Sequence, residues 1–503
     1  MARELKIFRC LGILIIIILC VGFTVKEFQN DTFYTIKIGQ LIVNNGIDML
    51  DHFSFHDLAY SYPHWLYDVF IYEIYNFSGL IGIYISTIIL YCMLILSIYL
   101  VNFKLVKNEF VAFLVSLLSL FLLRSSVTAR AQLVSTILFV WEVYFIEMFI
   151  KTKHKRYVVS LIIISLLIAN IHVAVWPFYF VVYLPYLVEQ FFIWLPNNKF
   201  IQFLKKKKVK FGFNSFNGKI ITCNNKNIKY LLVIMLLGLL MGFLTPIGEV
   251  PFTYFIRTML GNSQSYILEH KPLVLASNPV FMMLMVLFIL LLMFTGTKIK
   301  LHDLFMLSGL TLMTFMSSRH ILLLVSVGSV ACARLLVSFF ECEDDNSIFQ
   351  IVNTVTKVPV MLLLILLVIC YSFDCYEESN KVGYINEKLY PVEASNYIIN
   401  NLDLDQIRIF NDYNYGSYLM YRNIPVFIDS RADLYLPEFN KGVTIFDDYI
   451  DIEYNYQEVF KKYEITHVLV NNNSLLNNIL NLDINYNKIY EDDYFILYVR
   501  LGL

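Results

Sequence analysis

The segment NDTFYTIKIGQLIVNNGIDMLDHFSFHDLAYSYPHWLYD, residues 30–68, separates two long apolar runs near the start of the chain. It contains five aspartates and three histidines among many aromatic residues. The flanking runs, residues 7–25 and 79–101, are long enough to cross the roughly 30 Å of hydrocarbon in a bilayer. The segment is therefore predicted to be a polar loop between the first two spans of a membrane protein.

The composition of the whole chain agrees with this interpretation. Of its 503 residues, 58% are apolar and 16% are charged, a balance too apolar for a soluble protein of several domains. The first apolar run is not followed by the small-residue cleavage site of a signal peptide, so it is interpreted as a retained helix. About eleven spans are predicted, at residues 7–25, 79–101, 109–124, 131–150, 157–172, 174–190, 230–247, 279–296, 302–318, 320–340 and 356–373.

Lysine and arginine in the connections predict the orientation of the chain. With a cytoplasmic N-terminus, the inner connections hold the basic stretches KTKHKR (151–156) and KKKKVK (205–210), whereas the outer connections hold few cations. An odd number of spans then places residues 374–503 outside. The segment 191–229 is interpreted as a cytoplasmic basic insertion that enforces this topology, and no nucleic acid is predicted as a partner.

Residues 374–503 are predicted to form a small extracytoplasmic α/β domain. They hold 21 acidic and 10 basic residues, so this part of the chain is acidic. Strands are predicted at 407–410, 425–429, 467–470, 487–492 and 495–500, with helices at 391–401 and 455–464. The predicted fold class is a polytopic α-helical membrane protein, residues 1–373 with a first external loop at 26–78, followed by this α/β domain.

Charged groups and imidazoles collect at the predicted outer ends of the spans. Such groups are costly to place at the edge of a bilayer, so their position indicates a function. They come from at least five connections, and together they predict one polar site at the outer surface. Arginine and lysine bind phosphate by charge and fork geometry, and a carboxylate opposite them can act as a general base toward a hydroxyl. These are the parts needed to move a sugar from a lipid phosphate carrier.

Several motifs resemble those of the GT-C superfamily of integral membrane glycosyltransferases, which includes protein O-mannosyltransferases and aminoarabinose transferases. The first external loop opens with an acidic residue directly after the first span, in NDTFYTIKIG (30–39), and continues to HWLYD (64–68). Other similar pieces are ARAQL (129–133), NIHVAVWPFY (170–179), LTPIGEVPFTY (244–254), EHKP (269–272), SSRH (317–320), FNDYNYGSYLMY (410–421) and VFIDSRADLY (426–435).

The resemblance implies a multi-pass plasma-membrane enzyme. It would move a sugar from a polyprenyl-phosphate donor in the lipid bilayer to an extracytoplasmic glycan, lipid or protein acceptor, usually with inversion. It makes Asp31 the general base. The superfamily often has a second, adjacent acid, but here the neighbour is Asn30, so Asp51 of the same loop is the substitute candidate. Predicted donor-phosphate ligands are Arg124, Arg130, Arg319, His320 and Lys271, and predicted substrate-binding residues are His52, His56, His64, His172, Glu269 and His270.

Structural alternatives stay open for these residues. Asp31 is also placed to cap a helix predicted at 32–44. His52 and His56 are four residues apart and would share one face of a helix, as metal ligands do, so a divalent metal is an open alternative. Arginines at span ends can also be snorkelling cations. Turn chemistry and ion pairs explain four polar residues of the tail nearly as well as ligand binding does, namely Asp412, Asp429, Arg431 and Asp433.

Two other functions also stay open, a polymerase or ligase of lipid-linked polysaccharide and a non-enzymatic transporter or sensor. Polymerases and ligases usually place their key residues in a large late external loop, whereas here the first loop carries them. A transporter should show internal repeats and polar residues near the membrane centre. The glycosyltransferase is therefore the favoured prediction.

Overall fold

Helices dominate the computed structural model, which describes residues 2–194, 219–223, 225–261, 271–342 and 355–502. Each of the eleven predicted spans coincides with a helix. The helices up to residue 380 are α1 (Ala2–Phe23), α2 (Asn30–Asn45), α3 (Trp65–Val106), α4 (Glu109–Leu123), α5 (Ala131–Thr152), α6 (Lys155–Ile171), α7 (Trp176–Trp194), α8 (Leu231–Leu240), α9 (Val250–Leu260), α10 (Pro279–Phe294), α11 (Leu301–Met316), α12 (Ile321–Cys342) and α13 (Val358–Asn380).

The described residues include six helices long and apolar enough to cross a membrane, together with shorter apolar helices at Ile228–Phe243, Pro279–Phe294 and Leu301–Met316. The protein is therefore a multi-pass membrane protein, and the number of crossings stays a prediction. A two-stranded parallel pairing joins β1 (Ile220–Ile221), from the predicted cytoplasmic insertion, to β2 (Ile299–Lys300). Residues 195–218 of that insertion, with the KKKKVK stretch, lie outside the described residues.

The helix that contains the second predicted span begins before that span. α3 starts at Trp65, inside the predicted external loop, and is interrupted at Gly79, whose φ is 64°. Glycine adopts this positive φ without the steric penalty of a side chain, which permits the break. The part of α3 before Gly79 packs on α2, and Gly39 allows the close approach, because a Cβ there would lie 2.1 Å from the backbone oxygen of Asp68.

The C-terminal residues form a four-stranded sheet with helices around it. The strand order is β3-β4-β6-β5, with β3 parallel to β4 and the other pairs antiparallel. The strands are β3 (Ile409–Phe410), β4 (His467–Asn471), β5 (Tyr486–Glu491) and β6 (Phe495–Arg500), and the helices are α14 (Val392–Asn401), α15 (Tyr413–Tyr421), α16 (Ile445–Ile450), α17 (Ile452–Lys462) and α18 (Leu475–Leu480). We call residues 384–502 the outer unit, because the sequence predicts that they lie on the extracytoplasmic side.

The prediction of a strand at residues 425–429 is wrong. Val426 forms only an isolated parallel bridge, and its partner is Ser54 in the first external loop. Val426, Phe427 and Ile428 are fully buried, so this apolar run reflects burial in the core and not membership of the sheet.

The first external loop and the outer unit share one continuous hydrophobic core, and a second core lies among the spans. The ring of Phe33 on α2 lies 5.0 Å from the ring of Tyr390 and 5.2 Å from that of Tyr418. The Lys37 ammonium, also on α2, donates to the side chain of Asn423 at 2.6 Å. α2 is therefore packed as part of the outer unit, and residues of both cores line the cavity described next.

Candidate active site

A cavity of about 960 Å³ lies between the ends of the spans and the outer unit. Its wall on the membrane side is built from separate connections that meet at one end of the helix bundle. Six residues predicted from the sequence line this cavity, namely Asp31, His64, Arg124, Arg130, His172 and Arg319. The structure thus brings together the candidate base and three of the candidate phosphate ligands.

Asp31 lies in the first turn of α2 and forms an ion pair with Arg130. The carboxylate Oδ2 accepts from Arg130 Nη2 at 2.8 Å, and both side chains are partly exposed. The N-cap of α2 is Gln29, so Asp31 does not occupy the capping position that was its structural alternative. Arg130 is itself the N-cap residue of α5, which places this ion pair beside the N-terminus of a helix.

Asn30 has a structural role that requires an amide. Its Nδ2 donates to the backbone carbonyl of Tyr413 in the outer unit at 2.8 Å. An ionised carboxylate has no hydrogen to donate, so aspartate at this position would lose the contact. The hydrogen bond gives a physical reason for the single acid at the start of the loop.

Two histidines lie together in the wall beneath the arginines. The ring centroids of His64 and His172 are 5.1 Å apart, and Ser135 Oγ lies 3.1 Å from His172 Nδ1. Burial, with smaller contributions from the charges of Arg319 and Arg130, lowers the pKa of His64 to about 3. His64 is therefore neutral near pH 7 and adds hydrogen-bonding capacity to the cavity without adding charge.

The outer unit contributes a second carboxylate, Asp433, which the sequence analysis weighed as a possible ligand group without assigning it to this site. Asp433, in the short 3₁₀ helix Ala432–Tyr435, lines the cavity and accepts a hydrogen bond from the hydroxyl of Tyr254 on α9. Burial raises the pKa of Asp433, although the bond from Tyr254 and the charge of Arg319 oppose the shift. Its place after a predicted strand end was the only signal in the sequence, because residues 254 and 433 meet only in the folded chain.

Asp51, the reserve acid, lies outside the cavity wall in a buried ion pair. Its Oδ1 accepts from Arg431 Nη1 at 2.7 Å, and its Oδ2 accepts from the hydroxyl and the backbone N–H of Ser54. Burial alone would raise the pKa of Asp51, but the charge of Arg431 and the bonds from Ser54 outweigh it, so the pKa lies below its ordinary value. Both oxygens are engaged, and the side chain ties the first loop to the outer unit.

His52 and His56 do not share a helical face, because their segment is not helical. His52 is exposed and lies 2.5 Å from the carboxylate of Asp48. His56 Nε2 lies 2.9 Å from the carbonyl oxygen of Phe427, and burial lowers the pKa of His56 to about 4. The metal-binding face that the spacing suggested is therefore not formed.

The remaining predicted ligands are spread more widely. His320 lines a smaller pocket of about 100 Å³, which Arg319 and His172 also line, and its ring lies 4.9 Å from that of Phe178. Lys271 is exposed, and its backbone carbonyl accepts from the N–H of Ser318. Glu269 and His270 lie outside the described residues.

In the described part of the chain, two other groups of side chains have ligand atoms close enough together to hold a metal ion. They are Glu147–His302–Asp303 and Glu189–Cys223–His302. Both lie toward the opposite ends of α5 and α12 from Arg130 and Arg319. Arg334 lies 2.9 Å from Glu147 and 2.7 Å from Asp303, and His302 lies 2.7 Å from Glu189, so each of the three carboxylates already has a bonded partner. We interpret this set as a buried ion-pair network that joins α5, α7, α11 and α12.

No protein-family model and no curated protein sequence matches this chain. Among solved structures, the chain is similar to the crystal structure of ArnT from Cupriavidus metallidurans bound to undecaprenyl phosphate. The TM-score is 0.54, the sequence identity is 11%, and the match covers 97% of each chain. At this identity the likeness concerns the fold, and it extends over the spans and the outer unit alike. The chain therefore has an ArnT-like membrane fold, which bears out the resemblance to GT-C membrane glycosyltransferases at the level of the fold.

Proposed function

We propose that this protein is a plasma-membrane glycosyltransferase that moves a sugar from a polyprenyl-phosphate donor to an extracytoplasmic acceptor. One observation carries the proposal: Asp31 and three arginines, Arg124, Arg130 and Arg319, come from three separate connections and line one cavity. A cluster of guanidinium groups suits the oxygens of a phosphate, and a carboxylate beside them suits proton transfer. The likeness in fold to ArnT, solved with undecaprenyl phosphate, supports a lipid-linked donor.

In the proposed reaction, Arg319 and Arg124 bind the donor phosphate and stabilise the negative charge that develops on it. Asp31 removes the proton from an acceptor hydroxyl, and the hydroxyl oxygen attacks the anomeric carbon from the side opposite the phosphate. The bond from the anomeric carbon to the phosphate oxygen breaks, and polyprenyl phosphate leaves with the electron pair. The anomeric configuration is inverted because a single displacement takes place.

Arg130 has a positioning role in this mechanism. Its ion pair orients the Asp31 carboxylate, and its place at the N-terminus of α5 adds the positive end of a helix dipole to the membrane-side wall. The neutral His64 is placed to hydrogen-bond sugar hydroxyls without competing with the arginines for the phosphate.

Binding of undecaprenyl phosphate to the full-length protein in nanodiscs tests the proposal. We expect Arg319→Gln to weaken binding by about 10- to 100-fold, because it removes charged hydrogen bonds worth about 1.5–3 kcal/mol. Arg257→Gln is the matched control, because Arg257 forms a partly exposed ion pair with Glu249 outside the cavity wall. Equal affinity of the wild type and Arg319→Gln would contradict the proposed donor site.

A further inference from the structure

The cavity has two chemically different walls. The membrane-side wall carries Arg124, Arg130 and Arg319, and Asp31 of α2 contacts this wall through its ion pair with Arg130. The wall that faces it belongs to the outer unit and includes five aromatic residues, so we call it the aromatic wall. Tyr413, Phe439 and Tyr449 are half-buried there, and Tyr390 and Phe446 are buried.

Hydrogen bonds of the tyrosine hydroxyls fix the orientation of this aromatic wall. The hydroxyl of Tyr390 donates to the carbonyl of Phe28 at 2.9 Å, and that of Tyr413 donates to the carbonyl of Ser430 at 3.1 Å. The hydroxyl of Tyr449 accepts from the backbone N–H of Tyr413 at 3.4 Å. Because their hydroxyls are engaged with the backbone, the half-buried Tyr413 and Tyr449 offer ring surface to whatever enters the cavity.

The ionisable groups on this wall already have bonded partners. Among the described residues that line it, the cation is Arg431, whose guanidinium is bonded to Asp51 at 2.7 Å and to Asp429 at 2.6 Å. The acid on this wall, Asp433, is bonded to Tyr254. Residues 374–503 carry 21 acidic and 10 basic residues, so an anionic acceptor that approached from outside would also meet a repulsive field.

We propose that the aromatic wall is the acceptor subsite and that the acceptor is an uncharged carbohydrate. This inference rests on the proposed function and specifies the second substrate of the same site. The face of a pyranose ring presents C–H groups, which carry partial positive charge and pack against the negative faces of aromatic rings. The exposed amide of Asn414, at the edge of the wall, supplies a donor and an acceptor for sugar hydroxyls.

Saturation-transfer NMR on the full-length protein in nanodiscs tests the inference. The probes are neutral trisaccharides of glucose, mannose, galactose and N-acetylglucosamine, and the same trisaccharides carrying one phosphate. We expect transfer to the ring C–H protons of at least one neutral trisaccharide and not to its phosphorylated counterpart. Tyr449→Leu and Asn414→Ala should each weaken that binding by about fivefold, because each removes one contact of about 1 kcal/mol.

Tyr454→Leu is the matched control, because Tyr454 is 86% exposed on α17 and lies outside the cavity wall. The affinity for undecaprenyl phosphate is measured in parallel and should be unchanged in all three variants. If the wild type binds this lipid but prefers the phosphorylated trisaccharides, binds no trisaccharide, or is unaffected by both cavity substitutions, the acceptor inference is overturned and the proposed function stands. If the wild type does not bind the lipid, the proposed function itself fails.

Discussion

The carboxylate of Asp31 and the guanidinium of Arg130 lie 2.8 Å apart and join the start of α2 to the start of α5. The candidate base and a candidate phosphate ligand are therefore bonded to each other, and each restricts the orientation of the other. A substitution that keeps this bond separates the chemical role of Asp31 from its structural role.

Asp31→Asn provides that separation. The amide oxygen can still accept from Arg130, so we expect the midpoint of thermal unfolding and the affinity for undecaprenyl phosphate to remain close to the wild-type values. Sugar transfer should fall by about 10²- to 10⁴-fold, the usual contribution of a general base. Asp57→Asn, which changes an exposed acid of the same segment, is the control. Full activity of Asp31→Asn would refute the assignment of the base.

Arg431→Ala tests the buried ion pairs that join the first loop to the outer unit. The substitution leaves Asp51 and Asp429 buried without their cation, so we expect the free energy of unfolding to fall by about 3–5 kcal/mol. Lys488→Ala removes an exposed ion pair with Glu491 in the same unit and should cost at most about 1 kcal/mol. Thermal unfolding in nanodiscs measures both, and equal effects would show that the buried pairs are unimportant for stability.

Asn30→Asp tests the reason for the single acid at the start of α2. The carboxylate loses the hydrogen bond to the carbonyl of Tyr413 and places a charge beside it, at a cost of about 1–3 kcal/mol. We expect faster hydrogen–deuterium exchange in residues 410–421 and no gain in transfer rate. Asn45→Asp, at the exposed end of the same helix, is the control and should leave that exchange unchanged.

Two half-buried histidines, His56 and His64, predict how stability depends on pH. The pKa is lowered by burial to about 3 for His64 and to about 4 for His56, from an ordinary value of 6.5. At a pH between the folded and the unfolded pKa of a histidine, the unfolded chain binds more protons than the folded protein does. The free energy of unfolding therefore rises as the pH rises from about 4 to 6.5. Each histidine contributes a slope of about 1.4 kcal/mol per pH unit. It follows that stability is lost on acidification and is independent of these two groups above about pH 7.

The double substitution of His56→Gln and His64→Gln should flatten this dependence, as measured by thermal unfolding across the same range of pH. His52→Gln, which changes an exposed histidine of the same loop, should leave the slope unchanged. A slope that is identical in the wild type and the double variant would show that these histidines do not titrate differently in the folded protein.

Local patterns predicted much of this architecture. Apolar runs predicted where long helices would form, and each of the eleven runs overlaps a helix. The polar start of the first loop likewise located α2, because a local pattern sets both. The prediction failed at residues 425–429, where burial in the core produces the same apolar run as a strand. The partners of Asp51 and Asp433 could not be predicted, since Arg431 and Tyr254 are distant in sequence and meet only through tertiary packing. The catalytic roles of the cavity residues remain predictions.

The shared core of α2 and the outer unit also bears on how the protein responds to its membrane. The carboxylate of Asp31 and the aromatic wall belong to one packed body, whereas Arg124 and Arg319 are carried at the ends of spans. Thicker or thinner bilayers change the tilt of spans. Lipid composition should therefore shift the alignment of the donor with the base, while the spacing between the base and the acceptor wall stays constant. In the proposed reaction, the bilayer would then change the turnover without altering the choice of acceptor.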